Sequence, residues 1–285
     1  MATAEMITAE ENALTMATKG FVIPAKPEIL VNLENILAGD EVNVADVAKL
    51  ISVDVGLSSL ILKTINSPFY GMSTSIGDIR QAVMLLGIRV IKSVMTGALL
   101  RQSYVQKSCI SMERFWDTAG DIANSMNYIS DLLKERVVID NLYTLGLFCD
   151  CGIPAFAIRY PDYRDVLVEA NSSHELLVEV ENRRYHSNHA IVGYYLANAW
   201  GLPKEVCHVI LHHHDVHFLD KITGSPDQYY YAALKLSENI IHKNRRFQEI
   251  TEWSMCKFQV YDLLGITESD ALDLEEDIMD YLSHE

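Results

Sequence analysis

A three- and four-residue spacing of apolar side chains runs through most of this 285-residue chain. In the first regular stretch, residues 28–37, the apolar positions are Ile29, Leu30, Leu33, Ile36 and Leu37. This spacing places an apolar stripe along one face of an α-helix, and no segment shows the two-residue alternation of a half-buried strand. The sequence therefore predicts an all-α protein.

Cap and turn residues divide this pattern into separate helices. Asn43 and Asp54 are predicted N-caps, and Gly87 is a predicted C-cap that separates a helix ending at residue 86 from an apolar helix over 88–100. Further helices are predicted over 113–133, 141–148, 166–178, 188–200, 206–214 and 229–242, with a solvated acidic helix over 268–285. The series predicts a multi-helix bundle.

Net charge and the length of the apolar runs limit the kinds of partner that the chain is expected to bind. The chain carries 39 acidic and 23 basic residues, a net charge of −16, so its overall field repels phosphate backbones and anionic lipid. The longest apolar runs are shorter than the roughly 18 residues that a membrane span needs. We expect neither direct nucleic-acid binding nor a membrane span.

Cysteine usage and the N-terminal residues predict a cytoplasmic location. Five scattered cysteines in a chain with 49% hydrophobic residues are typical of reduced thiols rather than a disulfide framework. The first residues, MATAEMITAEEN, carry acids where a signal peptide has Lys or Arg. We expect no disulfide and no export.

Residues 51–94, ISVDVGLSSLILKTINSPFYGMSTSIGDIRQAVMLLGIRVIKSV, resemble the N-terminal half of an HDOD domain. Three motifs carry the resemblance in the family's order. They are Asp54 before a Leu-rich helix, the Asn-Ser-x-aromatic-Tyr-Gly turn at 66–71, and the Gln-Ala helix at 81–87. The resemblance weakens gradually up to about Asn239. The HDOD family is related to the HD phosphohydrolases but generally lacks their catalytic residues.

The resemblance implies an N-terminal helical lobe packed on an HD-like helical bundle. On that basis we expect an extension over residues 1–20, the helical lobe over 21–105, the HD-like bundle over 106–250, and an acidic C-terminal helical extension over 251–285.

In active HD phosphohydrolases, imidazoles and carboxylates hold one or two divalent ions that activate water against a phosphate ester. The resemblance places the first His of that set near Thr118, the His-Asp pair at Cys149 and Asp150, and the final Asp at Glu238. A Thr hydroxyl is a weak ligand, and a thiolate differs from imidazole in softness and geometry. We therefore expect the primary site to be disabled, with no catalytic residue and no cofactor.

Other side chains could still hold a divalent metal. His189 resembles the His that precedes a Gly by four residues, and His213 with His214 resembles the HHE-type pair of dinuclear members. If a metal is bound, the predicted ligands are Asp150, His189, His213, His214 and Glu238. His208 and His212 also share a helix face at a spacing that can bind a metal. The alternative is that these histidines are hydrogen-bonded structural residues of the bundle.

Two further motifs allow a structural and a functional interpretation. Cys149 and Cys151 could sense zinc or oxidant, but two small buried side chains that pack an apolar segment are the simpler interpretation. In the turn, Asn66, Phe69 and Tyr70 are candidate interaction residues, although aromatics beside a turn commonly pack two helices together.

These observations favour a non-catalytic HDOD-type regulatory protein of signal transduction that acts through protein or small-ligand binding. The alternative is a divergent metal-dependent phosphohydrolase that uses the metal ligands named above. A thiol or metal sensor built on Cys149 and Cys151 is a third hypothesis. Because no receiver, cyclase or kinase segment is visible, we expect the input and output to come from a separate protein partner.

Overall fold

Helices make up the regular structure of the chain. The computed structural model describes residues 18–39, 42–67, 70–104, 106–133 and 140–283, and no strand occurs within them. The predicted caps act as expected, since Asn43 accepts from the Ala45 N–H and Asp54 from the Leu57 N–H, both at 2.9 Å. The all-α prediction is confirmed.

The helices are numbered in chain order. They are α1 (Glu28–Leu37), α2 (Val44–Ser52), α3 (Val55–Ile65), α4 (Ile79–Ser103), α5 (Met112–Tyr128), α6 (Asp140–Phe148), α7 (Gly152–Arg159), α8 (Tyr163–Ser173), α9 (Leu177–Tyr185), α10 (His189–Ala199), α11 (Lys204–His212), α12 (Phe218–Lys221), α13 (Asp227–Arg246), α14 (Trp253–Leu264) and α15 (Glu268–Ser283), with a 3-10 turn at Ile129–Leu132 after α5.

One compact unit contains the described parts of residues 25–103 and 272–283. In it α4 packs on α2 and α3 around the buried side chains of Val47, Ile51 and Ile61. Gly87 interrupts α4 with φ 79° and ψ 156°. That conformation suits a residue without Cβ, and it lies where the C-cap was predicted.

The turn after α3 is fastened by Asn66. Its side-chain amide donates to the carbonyl of Ile76 at 2.8 Å, and its side-chain oxygen accepts from the Ile76 N–H at 2.7 Å. The Tyr70 N–H, at the end of the turn, donates to the Ser67 carbonyl at 3.2 Å. Phe69 lies outside the described residues. Asn66 therefore shapes the turn.

The second unit contains the described parts of residues 18–24 and 104–271. Here α13 lies against α5, α6, α11 and α14, while α10 packs on α7 and α11. The large side chains Phe148, Phe156 and Trp200 are fully buried among these helices. The arrangement brings the junction of α6 and α7 next to the start of α10 and the end of α11.

Within the described residues, two helical segments are long and apolar enough to cross a membrane by length and composition alone. These are Ile79–Ser103 and Asn141–Arg159, with 50% and 72% of their most apolar windows buried inside the protein. Core helices of this kind pass the same test. The first is broken at Gly87 and the second by the turn between α6 and α7, so we interpret both as core helices.

Two sequence expectations differ from the observed helices. The single helix predicted over 166–178 is in fact α8 and α9, because His174 takes a left-handed conformation with φ 56° and ends α8. The terminal helix α15 is not wholly solvated, since Ala271 and Ile278 are buried. The predicted division into a lobe, a bundle and two extensions stays a prediction.

A substitution at Gly146 tests how closely α5 and α6 approach each other. A Cβ at this position would lie 2.7 Å from the Ala123 Cα, so we expect Gly146→Ala to lower the free energy of unfolding by about 2 kcal/mol despite the better helix propensity of Ala. The matched control is Gly120→Ala in α5, where an added Cβ meets nothing within 4 Å. Urea unfolding should show the control unchanged or stabilised, and equal stability of the two variants would contradict the packing described.

Candidate metal centre

Asp150 lies in the short turn between α6 and α7. The structure ends α6 at Phe148, where the helix predicted over 141–148 also ends, and starts α7 at Gly152. The turn comes very close to α10, since a Cβ on Gly152 would lie 2.0 Å from the His189 carbonyl oxygen. Only a glycine fits this approach. Gly152 therefore allows the Asp150 carboxylate to lie beside His189.

His189 is the first residue of α10. The side chain of Asn188 caps this helix by accepting from the Ile191 N–H at 3.0 Å. The His189 N–H, one of the donors left free in a first helical turn, donates to Glu181 Oε2 at 3.0 Å. With its backbone held, His189 points Nε2 at Asp150 Oδ1, 3.3 Å away.

His213 and His214 follow the last turn of α11. The Nε2 atom of His213 lies 3.5 Å from Asp150 Oδ1, and the Nε2 atoms of His214 and His189 are 3.1 Å apart. One ligand atom from each of four residues, Asp150, His189, His213 and His214, lies within 4.8 Å of the other three. The structure thus brings together four of the five metal ligands predicted from the sequence.

The other ring nitrogen of each histidine has an oxygen partner. His189 Nδ1 lies 2.7 Å from Glu181 Oε2, His213 Nδ1 2.7 Å from the Ile210 carbonyl, and His214 Nδ1 2.9 Å from Glu252 Oε1. Carboxylate and carbonyl oxygens only accept, so each Nδ1 carries the proton. Such partners are typical of metal-ligating histidines, because they fix the tautomer that offers Nε2 to the ion.

The charges at the site follow from burial and these contacts. Burial opposes protonation of His189, yet the carboxylates of Glu181 and Asp150 raise its pKa to about 10. Burial and the neighbouring His213 lower the pKa of His214 to about 3. For Asp150, burial is outweighed by the facing imidazoles of His189 and His213, which hold its pKa well below the usual range. The metal-free site therefore contains an imidazolium beside a carboxylate.

The buried Nε2 atom of His213 shows whether these residues fit a metal ion. Its side chain is fully buried, and its Nε2 has no hydrogen-bond partner among the described residues. Leaving such an atom without a partner is costly, whereas a cation between His213 and Asp150 would use it. His189 and His213 are buried, but the side chains of Asp150 and His214 remain 29% and 18% exposed. The donor set fits a divalent ion that solvent can reach from one side.

The remaining predicted residues lie elsewhere or have other partners. Among the described residues, Thr118 is outside this set, and its hydroxyl donates to the Arg114 carbonyl of its own helix at 2.9 Å. Cys149 and Glu238 join Asp150 in a second group of possible ligand atoms. Glu238 Oε2 accepts from Lys235 at 2.7 Å.

His208 and His212 are a pair of their own. Their ring centroids are 5.0 Å apart, His208 Nδ1 contacts Asp227 Oδ2 at 2.5 Å, and His212 stacks on the Phe218 ring. Among the described residues they belong to neither group of possible metal ligands, so they fit the structural interpretation.

Sequence reasoning missed the residues that surround the ligands. Glu181, Tyr163, Lys235 and Glu252 are all buried, and Tyr163 donates its hydroxyl to Glu181. A lysine inside the apolar stretch YYYAALKLSENII was the one visible signal, since a buried lysine needs a partner. Nothing in the spacing of Glu181 or Glu252 indicated their contacts.

The sequence-family comparison agrees with this geometry. The model of the HDOD domain matches residues 23–216, a range that includes all four grouped ligands. The chain belongs to the HDOD domain family. An uncharacterized protein of Treponema pallidum (strain Nichols) is 27% identical over 199 residues, which cover 68% of this HDOD chain and 38% of that protein. The chain thus spans well under half the length of this relative.

Solved structures show the same fold. A "Putative signal transduction protein" from Marinobacter aquaeolei VT8 superposes with a TM-score of 0.73 and 18% identity, over 96% of this chain and 63% of that one. A "Putative phosphohydrolase" from Shewanella amazonensis SB2B gives a TM-score of 0.71 and 18% identity, over 94% and 93%. At this identity the likeness establishes the helical HDOD fold.

Glu181→Gln tests whether the buried carboxylate holds His189. The substitution leaves a protonated, buried imidazole with one charge partner fewer, so we expect the metal-free protein to lose about 3 kcal/mol of unfolding free energy. The matched control is Glu179→Gln, an exposed position on the same helix, which should change stability by less than about 0.5 kcal/mol. Urea unfolding measures both, and a Glu181→Gln variant as stable as the control would contradict this role.

Proposed function

We propose that this chain is a regulatory protein of signal transduction that binds one divalent metal ion through Asp150, His189, His213 and His214 without hydrolysing phosphate esters. The observation that carries the proposal is the set of three imidazoles whose Nδ1 atoms all have oxygen partners while their Nε2 atoms converge near Asp150. The proposal therefore adopts the alternative from the sequence analysis, a bound divalent metal, in place of the expectation that the chain has no cofactor.

Three imidazole nitrogens and one carboxylate oxygen favour a transition-metal ion that is intermediate between hard and soft. Imidazole suits zinc and iron, and the one carboxylate, which adds a negative charge, also suits manganese. When bound, the ion would supply a double positive charge and Lewis acidity. The residues of the chain orient the ligands: Glu181 holds His189, and Glu252 holds His214. Ion binding would displace the proton on His189 Nε2, because Nε2 must be deprotonated to act as a ligand.

Three features argue against hydrolysis. Thr118, at the place of the first His, bonds within its own helix. Cys149, in place of the paired His, is buried and its thiol donates to the Gly146 carbonyl at 3.2 Å. Glu238, in place of the final Asp, is engaged by Lys235. The groups that would hold and activate water beside a metal are each occupied otherwise.

A metal-dependent phosphohydrolase is the second candidate. The observation in its favour is that the edges of Asp150 and His214 reach solvent, which leaves a coordination position for water or a phosphate oxygen. Such an enzyme would work with the four grouped residues alone.

We further propose a protein partner and a cytoplasmic location. The net charge of −16 disfavours nucleic acid and anionic lipid, which leaves a protein surface or a small ligand as the counterpart. Of the candidate interaction residues, Asn66 is engaged within its own turn. Tyr70 stays a candidate contact on the sequence pattern of the turn.

Metal analysis and a hydrolysis assay test this proposal together. Protein prepared without chelator and loaded with Zn²⁺ or Mn²⁺ should hold one equivalent, and Asp150→Asn or His214→Ala should weaken binding by about 100-fold or more. The loaded protein should hydrolyse nucleotides and cyclic dinucleotides no faster than Asp150→Asn does.

The matched control is His217→Ala, since His217 is close in sequence but 74% exposed, and it should bind the metal as the unaltered chain does. Turnover of about 1 s⁻¹ or faster that Asp150→Asn abolishes would establish the phosphohydrolase instead. Absence of bound metal would contradict both candidates.

A further inference from the structure

Lys235 is a cation in the interior of the second unit. It lies in the middle of α13, its side chain is 0% exposed, and Nζ contacts Glu238 Oε2 at 2.7 Å and Glu252 Oε1 at 2.8 Å. A lysine is rarely buried without charged partners. Burial favours the neutral amine, but Glu238 and Glu252 hold the pKa of Lys235 well above its usual value, so the ammonium is retained.

This ammonium lies at the edge of both groups of possible ligands. Glu252, one of its partners, also accepts from His214 Nδ1 at 2.9 Å. Glu238, its other partner, belongs to the group formed with Cys149 and Asp150, whose ligand atoms lie within 4.8 Å of one another. The two groups share Asp150, so they are adjacent positions where a cation could be held.

The position at Cys149, Asp150 and Glu238 is poorly suited to an ion while Lys235 is present. One oxygen of Glu238 is bound by the ammonium, and the buried Cys149 thiol donates to the Gly146 carbonyl. An ion there would also lie next to a fixed positive charge in a buried setting, where like charges repel strongly. The carboxylates themselves would otherwise attract a second ion.

We infer that Lys235 is a built-in counterion that takes the place of a second metal ion beside Asp150, and so limits the chain to one divalent ion. The inference deepens the proposed function and rests on it for the first ion. Lys235 neutralises Glu238 and Glu252 and keeps Glu252 in place against His214. It therefore acts as a positioning residue and a determinant of stoichiometry rather than as a ligand.

The charges around Asp150 agree with this assignment. Four carboxylates lie in or beside the two groups of possible ligands, those of Asp150, Glu181, Glu238 and Glu252. One divalent ion and one ammonium bring these four negative charges close to balance. A second divalent ion would reverse the sign, whereas removal of the ammonium would restore the demand for another cation.

The test is equilibrium dialysis of the metal-free full chain against Mn²⁺, followed by elemental analysis. The unaltered chain should bind one equivalent. Lys235→Gln should bind two, with the second at least about 100-fold tighter than any further Mn²⁺ on the unaltered chain. The double variant with Glu238→Gln should return to one. The matched control is Lys257→Gln, a surface lysine paired with Glu268 at 3.4 Å, and it should bind one.

Each outcome decides between the alternatives. One additional equivalent in Lys235→Gln relative to the unaltered chain supports the inference, and equal stoichiometry of the two proteins overturns it. No Mn²⁺ on the unaltered chain would overturn the proposed metal centre separately. If Lys235→Gln does not fold, as judged by circular dichroism, Lys235→Met takes its place, because it removes the charge and keeps much of the side-chain length. It should also bind two equivalents, and one equivalent in Lys235→Met would overturn the inference.

Discussion

The contact between the turn at Asp150 and the start of α10 determines most of what this site can do. Gly152 lets the turn lie against the His189 carbonyl, and without that approach Asp150 would not reach the imidazoles of His189 and His213. A half-buried carboxylate needs such partners, because burial without them is costly. Helix ends from different parts of the chain therefore meet at one carboxylate.

Around this contact the protein maintains a network of buried charges. Tyr163 and Glu181 support His189, and Lys235 and Glu252 support His214. Buried ion pairs contribute little net stability compared with apolar residues of the same size, so fold stability alone is a weak reason for this arrangement. The network instead orients three imidazoles toward one point, and the outer partners of metal ligands commonly orient their ligands in this way.

The sequence predicted those features that depend on local patterns. The spacing of apolar residues predicted helices, and Asn43 and Asp54 were recognised as caps from their residue types, because a cap acts on the next three residues. The grouping of Asp150 with His189, His213 and His214 came from the family resemblance. Local patterns do not show how closely Asp150 approaches these histidines, because the close approach at Gly152 is a tertiary contact.

The supporting charges could not be predicted for the same reason. Glu252 lies 38 residues from His214 and 17 from Lys235, and Glu181 lies eight residues before His189. Both look like ordinary surface residues until the fold buries them, and only Lys235, in its apolar stretch, gave a signal. The loss of three family ligands at Thr118, Cys149 and Glu238 suggested a disabled site. In the structure, His189, His213 and His214 instead form a group with Asp150 that could hold a metal ion.

Anomalous diffraction from a crystal grown with zinc tests whether Asp150, His189, His213 and His214 bind a metal ion. We expect one zinc peak at about 2.0–2.1 Å from the Nε2 atoms of His189, His213 and His214, with an Asp150 oxygen as the fourth ligand. A peak bound by Nδ1 atoms, a peak at Cys149 and Glu238, or no peak at these histidines at saturating zinc would contradict it.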